Sequence, residues 1–246
     1  MNEPVQKAGK AAAQIAPAAV KVPARRGRPP KAPVPDQEAE PGRTNDPERT
    51  MADILAVATS EFAAKGLAGA RIDEIAALTR TSKRMIYYYF ESKEGLYIAV
   101  LEDAYSRIRR IEAALHLEDL PPEEALRTLV GFTFDYQLAN PDFIRLVMNE
   151  NMHKGEFISR SSTIIALNVP IITAVQQVYE RGVAAGVFRP DVDAVDLHMS
   201  ISALSFFNVA NRHTFGAIFK RTLDTPEAVA ARRASVVDMV VRFLRA

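Results

Sequence analysis

The stretch TSKRMIYYYFESKEGLY, residues 81–97, contains most of one predicted helix and the start of the next. Ser82 is a favourable N-cap residue, and the apolar side chains that follow it, among them Ile86 and Phe90, recur at the spacing of one helical turn. Ser92 is a second N-cap residue and begins another helix. The stretch therefore predicts two helices that are separated by a short break.

Two further helices are predicted upstream of this stretch. Asp46 is a good N-cap and Pro47 a good first helical residue, and apolar residues then recur at helical spacing until Gly66 ends the helix. A shorter helix covers about residues 71–78, and residues 79–81 join it to the helix that Ser82 begins. Two helices with so short a connection match the helix-turn-helix unit in length and order.

The rest of the chain is also helical in its pattern, and no stretch alternates apolar and polar residues as an exposed strand does. Proline inside a helix removes a hydrogen bond, so we expect a kink or break where Pro170 interrupts a long apolar run. The fold class is all-α with about nine helices. After the helix that Ser92 begins, the predicted helices cover residues 121–138, 140–152, 157–186, 192–219 and 226–244.

Composition and charge exclude several classes of function. The 246-residue chain has a net charge of +1, so any attraction to nucleic acid must come from a local cluster. The absence of cysteine excludes disulfides and thiolate chemistry and fits a reducing cytoplasm, and no apolar run predicts a membrane helix. No GxSxG, phosphate-binding or dinucleotide-binding glycine motif occurs, so we expect no enzyme activity and no cofactor.

Two alternatives depend on Glu150 and His153, which lie three residues apart on a predicted helix. They could form a catalytic pair in a helical enzyme. They could also bind a metal ion together with His198 or His213, although the four histidines lack the spacing of the common zinc motifs. The favoured prediction is that the chain has no metal site.

The first 46 residues differ from the rest of the chain. They hold eight of its fifteen prolines, no aromatic residue and a net charge of +3, which predicts a disordered basic tail. Within the tail, RGRPPK resembles the core of an AT-hook, which lies in the narrow minor groove of A·T-rich DNA. Arg26, Gly27 and Arg28 are therefore candidate accessory DNA contacts, and the alternative is a tail that only carries solubilising charge.

The helix that Ser82 begins offers a face suited to DNA. Its first turn contains Ser82, Lys83 and Arg84 and no acid, and such donors reach base edges and phosphates in a major groove. With Ile86 and Phe90 inward, two tyrosines point outward, where their hydroxyls can bond phosphate oxygens. The alternative is an ordinary amphipathic unit with a basic edge. The candidate DNA contacts are Arg71, Arg80, Thr81, Ser82, Lys83, Arg84, Tyr87, Tyr88 and Lys93.

Together with EFAAKG (61–66) and IDEIA (72–76), the stretch at 81–97 resembles the N-terminal signature of the TetR (tetracycline-repressor) family. The resemblance implies that residues 47–107 form a helix-turn-helix domain that reads palindromic operator DNA. It implies that residues 108–246 bind a small-molecule effector and form a homodimer through the last two helices. Effector binding would release a repressor from its operator, and an activator is the alternative.

The resemblance assigns roles to single residues and exposes two departures. Lys83 and Arg84 fall on base-reading positions, Tyr87 and Tyr88 on positions that contact phosphates or bases, and Lys93 on the position of a phosphate-binding lysine. The family usually has threonine where Arg71 stands, so the helix cap is lost, and it tends to have glycine where Arg80 stands. If that position needs a positive φ, Arg80 costs about 1 kcal/mol.

Aromatic and polar residues in apolar helical context are the candidates for the effector pocket, since buried polar groups require partners. Their content favours a small planar or amide-bearing effector only slightly. The alternative is that each polar group bonds to backbone, water or a second copy of the chain. The candidates are Phe132, Tyr136, Met148, Asn149, Met152, His153, Asn168, Gln176, Asn208 and Asn211.

Overall fold

The computed structural model describes residues 46–246, which form one unit. Over these residues the fold is all-α, as the sequence predicts, with an isolated β-bridge between Phe188 and Arg245 and no named strand. The described helices are α1 (Pro47–Gly69), α2 (Ile72–Leu78), α3 (Lys83–Phe90), α4 (Lys93–Ala113), α5 (Pro122–Ala139), α6 (Pro141–Met152), α7 (Ser162–Ala184), α8 (Ala194–Ala210), α9 (Arg212–Phe219) and α10 (Pro226–Leu244).

The described residues contain ten α-helices rather than about nine, because the helix predicted over residues 192–219 is two helices. Asn211, with φ −107° and ψ 6°, leaves the helical conformation between α8 and α9. Two short 3₁₀ turns, Leu117–Asp119 and Ile158–Arg160, also interrupt the connections.

The predicted helix starts in the N-terminal part are confirmed by their capping hydrogen bonds. The Asp46 carboxylate accepts from the backbone N–H of Arg49 at 3.1 Å, and the Ser92 hydroxyl accepts from that of Gly95 at 2.9 Å. Gly66 has a φ of 67°, so it leaves the helical conformation three residues before α1 ends. The local signals therefore place the N-terminal helices closely.

The helix predicted over residues 157–186 with a kink or break at Pro170 begins later than predicted, and the break is absent. A 3₁₀ turn precedes α7, which begins only after Ser161, and the helix continues unbroken through Pro170. Proline removes a single backbone N–H from the helix. On the C-terminal side of Pro170, Ile171, Val175 and Val178 are buried in the apolar core, which compensates for the lost hydrogen bond.

Two apolar clusters organise the molecule. The first joins the inner faces of α1 to α4, with Phe62 and Tyr97 in edge-to-face contact at a centroid distance of 5.1 Å. The second lies among α5, α7, α8 and α10. Helix α4 packs against both α1 and α7, and α6 packs against both α1 and α8. The predicted domain boundary at residues 107–108 therefore falls inside α4, a helix that touches both parts.

Helix α7 is long and apolar enough to cross a membrane by length and composition alone, which is weak support for a membrane span. It packs against α4, α5 and α8 and contributes buried residues to the second cluster. These contacts are those of a helix in a packed bundle.

Candidate nucleic-acid interface and effector cavity

The turn between α2 and α3 holds Arg80 in the left-handed region, with a φ of 51°. The backbone N–H of Arg80 donates to the carbonyl of Ala77 at 3.2 Å, and that of Thr81 donates to the carbonyl of Ala76 at 3.0 Å. The positive φ expected from the usual glycine is therefore present with an arginine in place. The conformation costs about 1 kcal/mol and leaves a cationic side chain exposed beside α3.

Helix α3 divides into a buried and an exposed face. Ile86 is fully buried and Phe90 nearly so, whereas Tyr87 is 44% exposed and Tyr88 75% exposed. The Ser82 hydroxyl accepts from the backbone N–H of Met85 at 3.2 Å, which confirms it as the N-cap. The exposed face therefore carries two phenols beyond a first turn that has no acidic residue.

Two basic side chains at this face, those of Lys83 and Arg71, lie beside one carboxylate. Asp73 on α2 pairs with the ammonium of Lys83, and its Oδ2 lies 3.9 Å from Nη2 of Arg71. Arg84 is exposed and has no salt bridge among the described residues. Exposed ion pairs contribute about 0–1 kcal/mol, so a DNA phosphate or base can take the place of Asp73 at low cost.

The cap that α2 lacks is partly replaced from α1. Arg71 makes no side-chain capping bond, but its backbone N–H donates to Oε1 of Glu61 at 3.2 Å. Lys65 also pairs with Glu61, at 2.9 Å, and with Glu74, and these two carboxylates raise the pKa of the Lys65 ammonium. This contact between α1 and α2 was not predicted, although the four-residue spacing of Glu61 and Lys65 is typical of an ion pair along a helix.

The remaining candidate DNA contacts lie at the edge of this face or beyond the described residues. Lys93 begins α4, is partly exposed and donates from Nζ to the carbonyl of Ala68 at 3.3 Å. Arg26, Gly27 and Arg28 lie outside residues 46–246, so their accessory role stays a prediction.

The aromatic and methionine candidates for the effector pocket lie on α5 and α6. The rings of Phe132 and Tyr136 contact each other at a centroid distance of 5.7 Å, and Tyr136 also contacts Phe143 at 6.1 Å. Met148 is 38% exposed and Met152 72% exposed. The aromatic pair is brought together, and the two methionines face outward.

Four of the six polar candidates find partners close to them in the chain or on α1. Side-chain nitrogens of two asparagines donate to backbone carbonyls, Asn149 to Phe62 at 3.1 Å and Asn168 to Ile164 at 2.7 Å. Nδ1 of His153 donates to the carbonyl of Asn149 at 2.7 Å. Gln176 donates to the carboxylate of Glu180 at 2.6 Å, and Asn208 and Asn211 are half-buried near the end of α8.

Glu150 and His153 each hydrogen-bond to backbone groups and not to each other. Glu150 is 1% exposed, and its carboxylate accepts from the backbone N–H groups of Phe157 at 3.4 Å and Ile158 at 2.9 Å. Because these amides bind the carboxylate and Asn149 binds the imidazole, the geometry does not favour a catalytic pair.

The four predicted metal candidates do not come together either. Among residues 46–246, the potential ligand atoms that cluster belong to His116, Glu118 and Asp119, all of which are exposed. Exposed acidic groups of this kind are common without an ion.

A cavity of about 530 Å³ lies between α4 and α7. Its α4 wall includes Arg109 and Glu112, and its α7 wall includes Ala166, Pro170 and Ile171. None of the ten predicted pocket residues lines it. Its volume is within the range of small-molecule sites, which makes it the candidate effector cavity.

An ion pair lies in the wall of this cavity. Nη1 of Arg109 binds the Glu112 carboxylate, and the two side chains are only 12% and 4% exposed. Burial raises the pKa of Glu112, against the opposing effect of Arg109, and Nε of Arg109 is buried without a hydrogen-bond partner. This pair was not predicted, because the segment RIRRIEAA (107–114) has the composition of an ordinary exposed, charged helix surface.

A half-buried histidine lies near the same arginine. His198 on α8 has no partner for Nδ1, and burial lowers its pKa to about 4, with a smaller contribution from the charge of Arg109. The imidazole is therefore neutral at pH 7.

Known proteins identify the family. Residues 54–100 match the family model described as bacterial regulatory proteins of the tetR family, and residues 122–240 match the tetracyclin repressor-like C-terminal domain. The chain is 36% identical over 203 residues to the HTH-type transcriptional repressor NicS of Pseudomonas putida, which covers 82% of this chain and 96% of that one. The chain belongs to the TetR family. The resemblance read from the N-terminal motifs is thereby confirmed.

Other TetR-type proteins extend the comparison. The HTH-type transcriptional repressor SCO4008 of Streptomyces coelicolor is 32% identical over 167 residues, 65% of this chain and 78% of that one. A crystal structure of a tetR-family regulatory protein from Rhodococcus RHA1 has a TM-score of 0.64 at 19% identity, over 80% of this chain and 97% of that one. The relatives support a DNA-binding transcriptional repressor, and the solved structure supports the TetR fold.

Proposed function

We propose that the protein is a homodimeric repressor that binds palindromic operator DNA through α3 and is released by a small-molecule effector in the α4–α7 cavity. The observation that carries the proposal is the exposed face of α3. Lys83, Arg84, Tyr87 and Tyr88 are all exposed, whereas Ile86 on the opposite face is fully buried.

The two halves of this face have different roles in the proposal. Lys83 and Arg84 lie in the first turn of α3, where long cationic side chains reach base edges in a major groove. Tyr87 and Tyr88 lie one turn further along, where their hydroxyls bond phosphate oxygens. Additional phosphate contacts come from residues flanking α3, namely Arg71, Arg80, Thr81, Ser82 and Lys93.

The dimer is supported by apolar side chains that α8 and α10 leave exposed. Met199 on α8 is 60% exposed and Phe207 45%, and Phe243 on α10 is 51% exposed. On the opposite sides of these helices, Ile201 and Val241 are buried within the chain itself. Each helix thus has a second apolar surface, which suits the pairing of α8 and α10 with a second copy into a four-helix bundle.

Helix α4 offers a route from the effector to the DNA. It forms one wall of the cavity and also packs against α1 of the helix-turn-helix part. An effector that binds more tightly when α4 is displaced would favour a dimer whose two α3 helices no longer match successive major grooves, about 34–36 Å apart. A cytoplasmic location is part of the same proposal.

DNA binding can be tested with the double variant Lys83→Ala/Arg84→Ala. Each bidentate base contact contributes about 1–3 kcal/mol of discrimination, so the variant should lose both affinity and preference for DNA from upstream of its own gene. Fluorescence anisotropy at two salt concentrations measures both effects.

The matched control is Arg127→Ala/Arg145→Ala, which removes two exposed arginines from α5 and α6. Equal losses in the two double variants would show that net charge alone is responsible. Unchanged affinity in the α3 variant would refute the assigned reading face.

A further inference from the structure

The α4–α7 cavity combines a largely apolar wall with one charged region on α4, which contains Arg109, Arg110 and Glu112. Ala113, Leu117, Leu167 and Ile171 supply apolar surface, while Arg109, whose side chain is 12% exposed, brings a guanidinium. Burying a charge is expensive unless it is paired and hydrogen-bonded. The cavity is therefore suited to a ligand that is mostly apolar and has one polar group.

The hydrogen bonding of Arg109 is incomplete. Nη1 binds Glu112, but Nε is buried and has no partner. An unsatisfied buried donor is destabilising, and more so when the group is charged. The Nε and Nη2 donors form the edge of a guanidinium that receives the two oxygens of a carboxylate. Nε has almost no accessible surface, so a carboxylate ligand satisfies it when the Arg109 side chain turns this edge toward the cavity that it lines.

The negative charge of Glu112 does not prevent such binding. Desolvation already favours its neutral form, so the pKa of Glu112 is raised, and a second carboxylate on Arg109 would raise it further. When Glu112 takes up a proton, the ligand supplies the negative charge that Arg109 requires, and the net charge of the cluster is unchanged.

On the basis of the proposed effector function, we propose that this cavity binds an amphipathic carboxylic acid, whose carboxylate binds the Nε edge of Arg109 and whose apolar part fills the space between α4 and α7. Sugar phosphates and other highly polar metabolites are excluded from this class because the wall offers them few partners. A neutral ester of the same acid has the same apolar part but lacks the charge that Arg109 attracts.

Isothermal titration calorimetry on the full chain tests the ligand class with octanoate and 4-phenylbutyrate, each compared with its methyl ester. We expect each acid to bind at least about tenfold more tightly than its ester, since charge-assisted hydrogen bonds are about twice as strong as neutral ones. Absence of binding by both acids, or equal affinity for acid and ester, would overturn the proposal.

Variants at neighbouring arginines test the assigned residue. Arg109→Met should lower the affinity for the acids about tenfold or more and leave ester binding unchanged. Arg107→Met is the matched control, since Arg107 is exposed on the same helix and is not in the cavity wall. Arg110 is exposed but does line the cavity, so a loss of acid selectivity in Arg110→Met and not in Arg109→Met would refute the assignment.

Arg109→Met leaves Glu112 buried without a partner, so the double variant Arg109→Met/Glu112→Leu is measured in parallel to keep the site neutral. Circular dichroism and operator binding without ligand show that each variant is folded and active. Failure of operator binding by the unmodified chain would count against the proposed repressor, whereas the calorimetric comparison of acid and ester tests the ligand class by itself.

Discussion

The α3 face and the α4–α7 cavity place charged side chains in opposite environments. On α3, Lys83 and Arg84 are exposed, and within residues 46–246 their only ion pair is the exposed contact of Lys83 with Asp73. In the cavity wall, Arg109 and Glu112 are almost completely removed from solvent. The difference teaches that the position of a charged residue on a helix does not decide its role. The packing of a distant helix decides whether the side chain stays exposed and available to DNA or becomes part of a buried ion pair.

The largest expected effect is on the buried pair. Arg109→Met should lower the free energy of unfolding by about 3–5 kcal/mol, because it leaves Glu112 as a buried carboxylate without a partner. The double variant Arg109→Met/Glu112→Leu should recover most of this loss. Urea denaturation followed by circular dichroism measures both, and a double variant no more stable than the single one would contradict the interpretation.

The two faces of α3 should separate stability from DNA binding. Ile86→Ala removes a fully buried side chain and should lower the free energy of unfolding by about 2–5 kcal/mol. Tyr88→Ala, on the exposed face of the same helix, should change stability by less than about 0.5 kcal/mol but weaken DNA binding. Thermal melts and anisotropy titrations check the pair, and the division of α3 fails if Tyr88→Ala destabilises as much as Ile86→Ala.

The left-handed conformation of Arg80 predicts that replacing it by glycine stabilises the fold but weakens DNA binding. Arg80→Gly should stabilise the fold by about 1 kcal/mol, because glycine adopts a φ of 51° without steric cost. Removal of the cation should weaken DNA binding and reduce its salt dependence. The control Arg84→Gly, inside the regular helix, should destabilise by about 1 kcal/mol. A destabilised Arg80→Gly would show that the arginine makes contacts that outweigh its strain.

The smallest expected effect concerns Asp73, whose carboxylate holds Lys83 and lies near Arg71. Asp73→Asn should free both cations and increase the affinity for DNA of unrelated sequence by a factor equivalent to about 1 kcal/mol or less. The preference for operator DNA should fall in parallel. Asp103→Asn is the control because Asp103 pairs with Arg107 on α4. Anisotropy with random-sequence DNA decides, and an unchanged affinity would mean that Asp73 does not restrain the basic residues.

The predictions from sequence are confirmed most often where neighbouring residues determine the structure. The caps at Asp46, Ser82 and Ser92 and the inward position of Ile86 were expected and are observed. The positive φ at Arg80 was considered as a condition, and the structure shows that it is present. Each depends on a few adjacent residues, since helix caps and side-chain directions repeat within one or two turns. The domain limits and the DNA contacts themselves remain predictions.

Fewer predictions are confirmed in the C-terminal half, because burial there depends on helices that are far apart in the chain. Asn168 and Gln176 were candidates for the pocket as polar residues in apolar context, but they bond within their own helix. Pro170 was expected to kink or break α7, and the helix has no break there, since its C-terminal part packs in the second cluster.

The sequence by itself determined the helical class, the TetR family and the face of α3 that meets solvent. These follow from hydrogen bonding and side-chain spacing along a single helix, which are local. Only the tertiary structure placed Arg109 and Glu112 in the wall of a cavity, because that environment exists only where α7 packs against α4. Short-range periodicity carries no information on which distant helix will pack over a charged side chain. This packing removes the charge from solvent and so determines its contribution to the free energy of folding.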